Sequence, residues 1–134
     1  MWVTGTGIVV YSPHRPGIRK IQRHSPWWVI VEIDKELSRY YRWWIEKRFG
    51  LRLQVPTWGT HITVVSDRDK IEPEYLNQWK MFDRQQLSFE YNVAVEQHWK
   101  FWTLNVKSDV LTQMRKDLGL TRHHSLHITI GRME

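Results

Sequence analysis

Thr60-His61-Ile62-Thr63-Val64-Val65 and Leu126-His127-Ile128-Thr129-Ile130-Gly131 are two copies of one short phrase. In each, a His and a Thr stand two residues apart, with β-branched apolar residues between and after them. Side chains of a strand alternate between its faces. His61 and Thr63 therefore share one face and Ile62 and Val64 the other, and His127 and Thr129 are opposed in the same way to Ile128 and Ile130. Each copy predicts an apolar-backed strand that presents an imidazole and a hydroxyl. Side by side, the two strands gather two imidazoles and two hydroxyls around one small volume, a set able to do acid–base chemistry on a phosphate.

The sequence around the phrase repeats too. Residues 29–33 read as a strand, followed by a helix over 34–49 in which Leu37, Tyr40, Tyr41, Trp44, Ile45 and Phe49 recur at helical spacing. Asp34 is placed to cap it and Gly50 to stop it. Leu51, a loop over 51–59 and then His61 follow. The second half runs in the same order: a strand over 102–106, a helix over 108–118 capped by Ser108 and stopped by Gly119, Leu120, a loop, and His127. The second helix is shorter by about one turn. This internal similarity predicts two strand–helix–strand units related by a pseudo-two-fold, with the two histidines meeting between them.

Elsewhere, residues 4–11 read as a strand and 27–33 as another. Residues 73–79 suggest a short helix. Residues 87–95 and 99–106 read as strands joined by a hairpin at Glu96-Gln97-His98. The segment 12–26 carries Pro13, Pro16, Gly17 and Pro26 among His14, Arg15, Arg19, Lys20, Arg23 and His24. It reads as a solvated surface loop or as a phosphate-contacting flap.

Composition sets the outer bounds. A chain of 134 residues, 41% hydrophobic and 25% charged, predicts one globular domain over 1–134 with a feasible core. Net charge is +6 with a pI near 9.8, which suits a polyanionic partner such as a nucleotide or RNA and equally suits a merely basic protein. Nine tryptophans are hard to bury completely, so one or two are expected on a binding surface. With no cysteine, disulfides and thiolate metal sites are excluded. Neither a membrane-spanning run nor a secretion signal is evident, and a cytoplasmic location is expected. No metal, cofactor or obligate protein partner is expected. His123, His124 and His127 lack a nearby carboxylate, and His123 and His124 read as solvated loop residues.

Two His-x-Thr-x motifs, His61-Ile62-Thr63-Val64 and His127-Ile128-Thr129-Ile130, in corresponding places of a duplicated small chain resemble the 2H phosphoesterase superfamily. The resemblance spans roughly the whole chain and is architectural outside the motifs. It implies an α+β, bilobal fold with duplicated strand–helix–strand units and antiparallel sheets around a central cleft. It also implies metal-independent cleavage or ligation of phosphodiesters, often through a 2',3'-cyclic phosphate. The segment Pro56-Thr57-Trp58-Gly59-Thr60-His61 and the small size look like the phage-encoded members that degrade cyclic oligonucleotide immune signals, the anti-CBASS phosphodiesterases. In those, the host cytoplasm would be the site of action. The RNA 2',3'-ligase-like group and the cyclic phosphodiesterases of RNA processing also fit, and Arg132, soon after the second motif, suits them. The His-x-His-x-His pattern of histidine-triad nucleotide hydrolases is absent.

The resemblance makes His61 and His127 the acid–base pair and Thr63 and Thr129 donors to the phosphate. Cleavage by an adjacent 2'-hydroxyl needs a base for the nucleophile, an acid for the leaving oxygen, and donors for the charge that builds on phosphorus oxygens. Imidazoles serve both proton roles near neutral pH. Their order is not legible in the motifs, and strands with solvent-facing His and Thr would carry the same letters. Base stacking falls to Tyr11 and Trp58, each equally well a core aromatic, and a phosphate contact falls to Arg132. The expected substrate is a cyclic oligonucleotide or a short RNA-like strand. A non-catalytic RNA- or nucleotide-binding module is the alternative from another class.

Overall fold

The computed structural model describes residues 1–14 and 26–134. The basic segment's Pro16, Gly17, Arg15, Arg19, Lys20, Arg23 and His24 lie outside the described residues, so the flap expected there is not addressed. Eight strands are seen among the described residues: β1 (Trp2–Tyr11), β2 (Val29–Glu32), β3 (Leu53–Gln54), β4 (His61–Val65), β5 (Gln86–Asn92), β6 (Glu96–His98), β7 (Phe101–Lys107) and β8 (His127–Met133). Helix α1 (Lys35–Phe49) lies between β2 and β3, and α2 (Asp109–Asp117) lies between β7 and β8. A 3-10 helix covers Pro73–Gln78. None of the described helices is long and apolar enough to cross a membrane.

The chain is α+β, and its sheet is antiparallel throughout. Six strands close into a barrel in the order β8-β4-β2-β1-β5-β7, with β7 pairing back to β8. Two short strands flank it, β3 beside β8 and β6 beside β7. The sheets expected on either side of a cleft are thus one continuous sheet. Around the barrel, β4-β2-β1 come from the first half of the chain and β5-β7-β8 from the second, and each half inserts its helix before its last strand.

Local signals account for both helices. The Asp34 carboxylate accepts from the Glu36 amide at 2.9 Å, and Gly50 closes α1 at φ 66°, the left-handed region that favours glycine. The Ser108 hydroxyl accepts from the Leu111 amide at 3.2 Å to start α2. One face of the sheet is apolar and covered. Val9, Val31, Ile62, Val64, Leu104, Ile128 and Ile130 are fully buried there and join Ile45 of α1, Leu111 and Met114 of α2 and Leu118 at its C-cap in one core cluster.

Three boundaries differ from expectation. Trp27 and Trp28 precede the strand, which begins at Val29; they pack instead against Trp79 and Trp58, both edge-to-face with centroids at 4.9 and 4.8 Å. The expected loop over 51–59 contains β3, held by the Leu53 amide donating to Glu46 of α1 at 2.8 Å. Glu96-Gln97-His98 is a strand rather than a turn, with His98 opposite Phe101; the turn falls at Trp99, whose φ is 56°.

Candidate functional site

The two motif strands are neighbours. Ile62 of β4 pairs with Ile128 of β8, the same position of the repeated phrase in both strands. Carried one residue either way, that antiparallel register sets His61 opposite Thr129 and Thr63 opposite His127. All four point away from the apolar face. Direct cross-strand pairs lie about 4.5–5.5 Å apart at Cβ and diagonal ones about 7–8 Å, which puts the two imidazoles on a diagonal that one phosphate can span.

Both rings are held alike. His61 Nδ1 lies 2.9 Å from the Gly59 carbonyl and His127 Nδ1 lies 3.0 Å from the Ser125 carbonyl, in each case the oxygen two residues back. A carbonyl only accepts, so Nδ1 carries the proton and donates, which leaves Nε2 as the acceptor nitrogen of each neutral ring. Gly59, at φ 76°, allows the turn that aims its carbonyl back at the ring.

The two rings differ in environment. His61 is half-buried and His127 exposed. Burial pushes the His61 pKa below its ordinary value. The Gly59 hydrogen bond acts against that shift, the His127 ring adds to it, and Glu32, opposite His61 on β2, opposes it. His61 therefore stays neutral to lower pH than an ordinary histidine.

Contacts from both helices fix the motif backbones. Ser38 of α1 shares a 2.5 Å hydrogen bond with Thr60, the residue before His61, and Arg42 of α1 donates to the Ile130 carbonyl just after Thr129 at 3.0 Å. From α2, buried Arg115 donates to the Val64 carbonyl at 2.8 Å, to both Asp69 oxygens at 2.8 and 3.1 Å, and to the Arg122 carbonyl at 3.3 Å. Burial alone would raise the Asp69 pKa. The hydrogen bonds from Arg115 and the Ser66 amide, the Arg115 charge and Arg122 outweigh it and hold the carboxyl well below its usual range.

No family model, curated protein or solved structure matches the chain. Among the described residues, no three His, Cys, Asp or Glu side chains gather into a set able to hold a metal ion.

A recess of about 410 Å³ opens on the polar face, lined by His98, Phe101, Thr103, Asn105, Ser125, His127 and Thr129. Thr103 and Asn105 of β7 stand opposite Thr129 and His127. They extend the motif face by one strand, and sequence reasoning missed them. Their signal was present: Thr103-Leu104-Asn105 has the polar-apolar-polar alternation of the motifs themselves, with Leu104 fully buried.

The other expected site residues divide. Arg132 stands opposite Phe101 at the end of this recess, and its guanidinium donates to Gln54 at 2.8 Å. Trp58 is half-buried two residues before Thr60, edge-on to Trp28, and its indole N–H is enclosed without a partner among the described residues. Tyr11 corrects the expectation of a stacking residue. It is 7% exposed, packs edge-to-face on Trp79 at 4.9 Å, and its hydroxyl accepts from the Phe82 amide at 3.4 Å, so it offers no face to a base. His124 is corrected too. Far from being solvated, it is half-buried with Nε2 2.7 Å from the Thr63 carbonyl, tying the loop before one motif to the strand of the other. Its pKa is pushed below the ordinary value, chiefly by burial. His123 is exposed, as expected.

Proposed function

We propose that this chain is a metal-independent phosphodiesterase that cleaves the 3'-5' bonds of cyclic oligonucleotide signals or short RNA-like strands by paired histidine catalysis. The observation that carries this is the Ile62–Ile128 pairing, which brings His61, Thr129, Thr63 and His127 into one quartet on the polar face. The two halves of the barrel, each contributing three strands and a helix, are then the two lobes of a 2H-like fold.

In the step, an adjacent 2'-hydroxyl attacks phosphorus. His61 Nε2 takes its proton, because burial keeps that ring neutral. The bond to the 5'-oxygen breaks, and protonated His127 supplies the leaving oxygen with a proton from Nε2. The products are a 2',3'-cyclic phosphate and a 5'-hydroxyl. Thr63 and Thr129 donate to the non-bridging oxygens as charge builds there. The Gly59 and Ser125 carbonyls hold each ring in one tautomer throughout. Degradation of a cyclic immune signal by a phage is the setting this chemistry fits, with cytoplasmic action. Repair or ligation of RNA ends is the related use of the same quartet.

The test is incubation with a panel of cyclic oligonucleotides and 2',3'-cyclic-phosphate RNA in EDTA, with product ends read by mass spectrometry. Turnover is expected to persist in the chelator and to fall by about 10²–10⁴-fold in either His61→Ala or His127→Ala. Binding without turnover across the panel would leave a nucleotide-binding module in its place.

A further inference from the structure

Beyond the quartet, the polar face ends in two aromatic rings that nothing above employs. Phe101 lines the recess, and Trp99, two residues earlier, is 76% exposed. Their ring centroids lie 6.3 Å apart with planes inclined at 56°. A tryptophan so exposed leaves a large apolar surface in water. Here it is also held in an unusual place. Trp99 sits at the tip of the β6–β7 hairpin at φ 56°, a conformation rare for a bulky residue. Gln97 donates to the Trp99 carbonyl at 3.2 Å, the Met133 amide donates to the Lys100 carbonyl at 2.8 Å, and the Lys100 ammonium lies 5.1 Å from the centre of the Trp99 ring. The tip is thus tied to the end of the second motif strand.

Register gives the line of the site. Along β7, Asn105 faces His127, Thr103 faces Thr129, and Phe101 faces Arg132. Phe101 lies two residues of strand, about 7 Å, from Thr103, which is itself opposite Thr129 of the quartet. The ring is thus one strand across and two residues along from the quartet, on the side where the nucleoside of a bound phosphate would extend. We propose that Phe101 and Trp99 form the platform on which a nucleobase of the substrate stacks, with its phosphate at the quartet. This rests on the phosphodiesterase reading for the position of the phosphate, and it assigns base recognition to the β6–β7 hairpin instead of Tyr11. Stacking tolerates any base, so the platform selects nucleotides over other phosphodiesters without choosing among bases.

The test separates base recognition from cleavage. A deoxy dinucleotide of adenine lacks the 2'-hydroxyl and is not cut by the proposed step. Its affinity is measured by calorimetry against an abasic analogue of the same charge. The wild-type protein is expected to prefer the base-bearing ligand by about 5- to 150-fold. Trp99→Asn, which keeps a residue tolerant of the left-handed turn, and Phe101→Leu are each expected to lose most of that preference with their melting temperatures near wild type. Equal affinity for both ligands in the wild-type protein overturns the platform, as does a preference that survives both substitutions. A preference found in a protein that cleaves nothing would uphold the platform and sink the hydrolytic reading.

Discussion

Replacing Arg115 with Met removes the centre of a buried polar network. The Arg115 and Asp69 side chains are 7% and 1% exposed, and the guanidinium grips the carboxylate through two bonds of 2.8 and 3.1 Å. Met fills much of the same volume, so the loss is chiefly electrostatic. It strands a buried carboxylate that keeps the Ser66 amide and the partly exposed Arg122, and it leaves the Val64 carbonyl without this donor. Breaking a buried pair from one side costs about 3–5 kcal/mol. For a chain of this length that is a fall of roughly 10–20 °C in the melting midpoint. Asp69→Asn combined with Arg115→Met is expected to be less harmful than Arg115→Met alone, because no buried carboxylate charge then remains without its main partner. Linkage gives a second readout. The folded pKa of Asp69 lies below its unfolded value of about 3.9, so this stabilisation is complete above that pH and is lost as pH falls toward the folded value. Urea unfolding curves from pH 7 down to pH 2 measure both. A loss under about 1 kcal/mol in Arg115→Met would refute the network as an anchor of the first motif strand.

Three further outcomes follow from the site. The acid limb of kcat/KM is expected to fall below the ordinary histidine pKa of about 6.5, because His61 must be neutral to act and its pKa is lowered; a limb above that value in a pH profile would assign the base elsewhere. Thr63→Val and Thr129→Val are each expected to lower kcat by about 10²–10³-fold with folding preserved, since each removes one donor to the developing charge and keeps the strand shape, and single-turnover rates check this. Gly59→Ala is expected to cost about 1–2 kcal/mol of stability, seen in denaturant titrations, because φ at that position is 76°, and to depress kcat by moving the carbonyl that orients His61.

What the amino-acid order reveals here is what short-range physics controls. Asp34 and Gly50 bracket α1 and Ser108 starts α2 because caps act within a turn of the residues that make them. The alternation in the motifs identified the buried isoleucines and the polar partners beside them. The hairpin was misplaced because its turn chemistry is inverted. Polar Glu96, Gln97 and His98 form the strand, while a bulky Trp takes the left-handed position that Gly or Asn ordinarily occupies. Tyr11 looked available because a strand end carries no mark of what will cover it, and Trp79, far along the chain, does so. The Arg115–Asp69 pair and the His124–Thr63 contact join residues 46 and 61 positions apart. Separations of that size leave no local pattern.

The repeat also explains how one phrase used twice can do two jobs. Equivalent positions produce equivalent geometry, and the carbonyl two residues back holds both rings through Nδ1. Catalysis of the proposed kind needs the opposite, a neutral ring and a protonated one at the same pH. The difference has to come from outside the phrase. His61 has Glu32 opposite it on β2 and lies half-buried, whereas His127 faces Asn105 on β7 and stays exposed at the rim of the recess. Burial outweighs the carboxylate at His61, so the net push on that ring is toward the neutral form. Exchanging the neighbours tests where the asymmetry resides. Glu32→Gln removes the one group named here that supports charge on His61 through space, so it is expected to shift the acid limb of the pH profile further down. An upward shift would mean that the acid limb does not report His61.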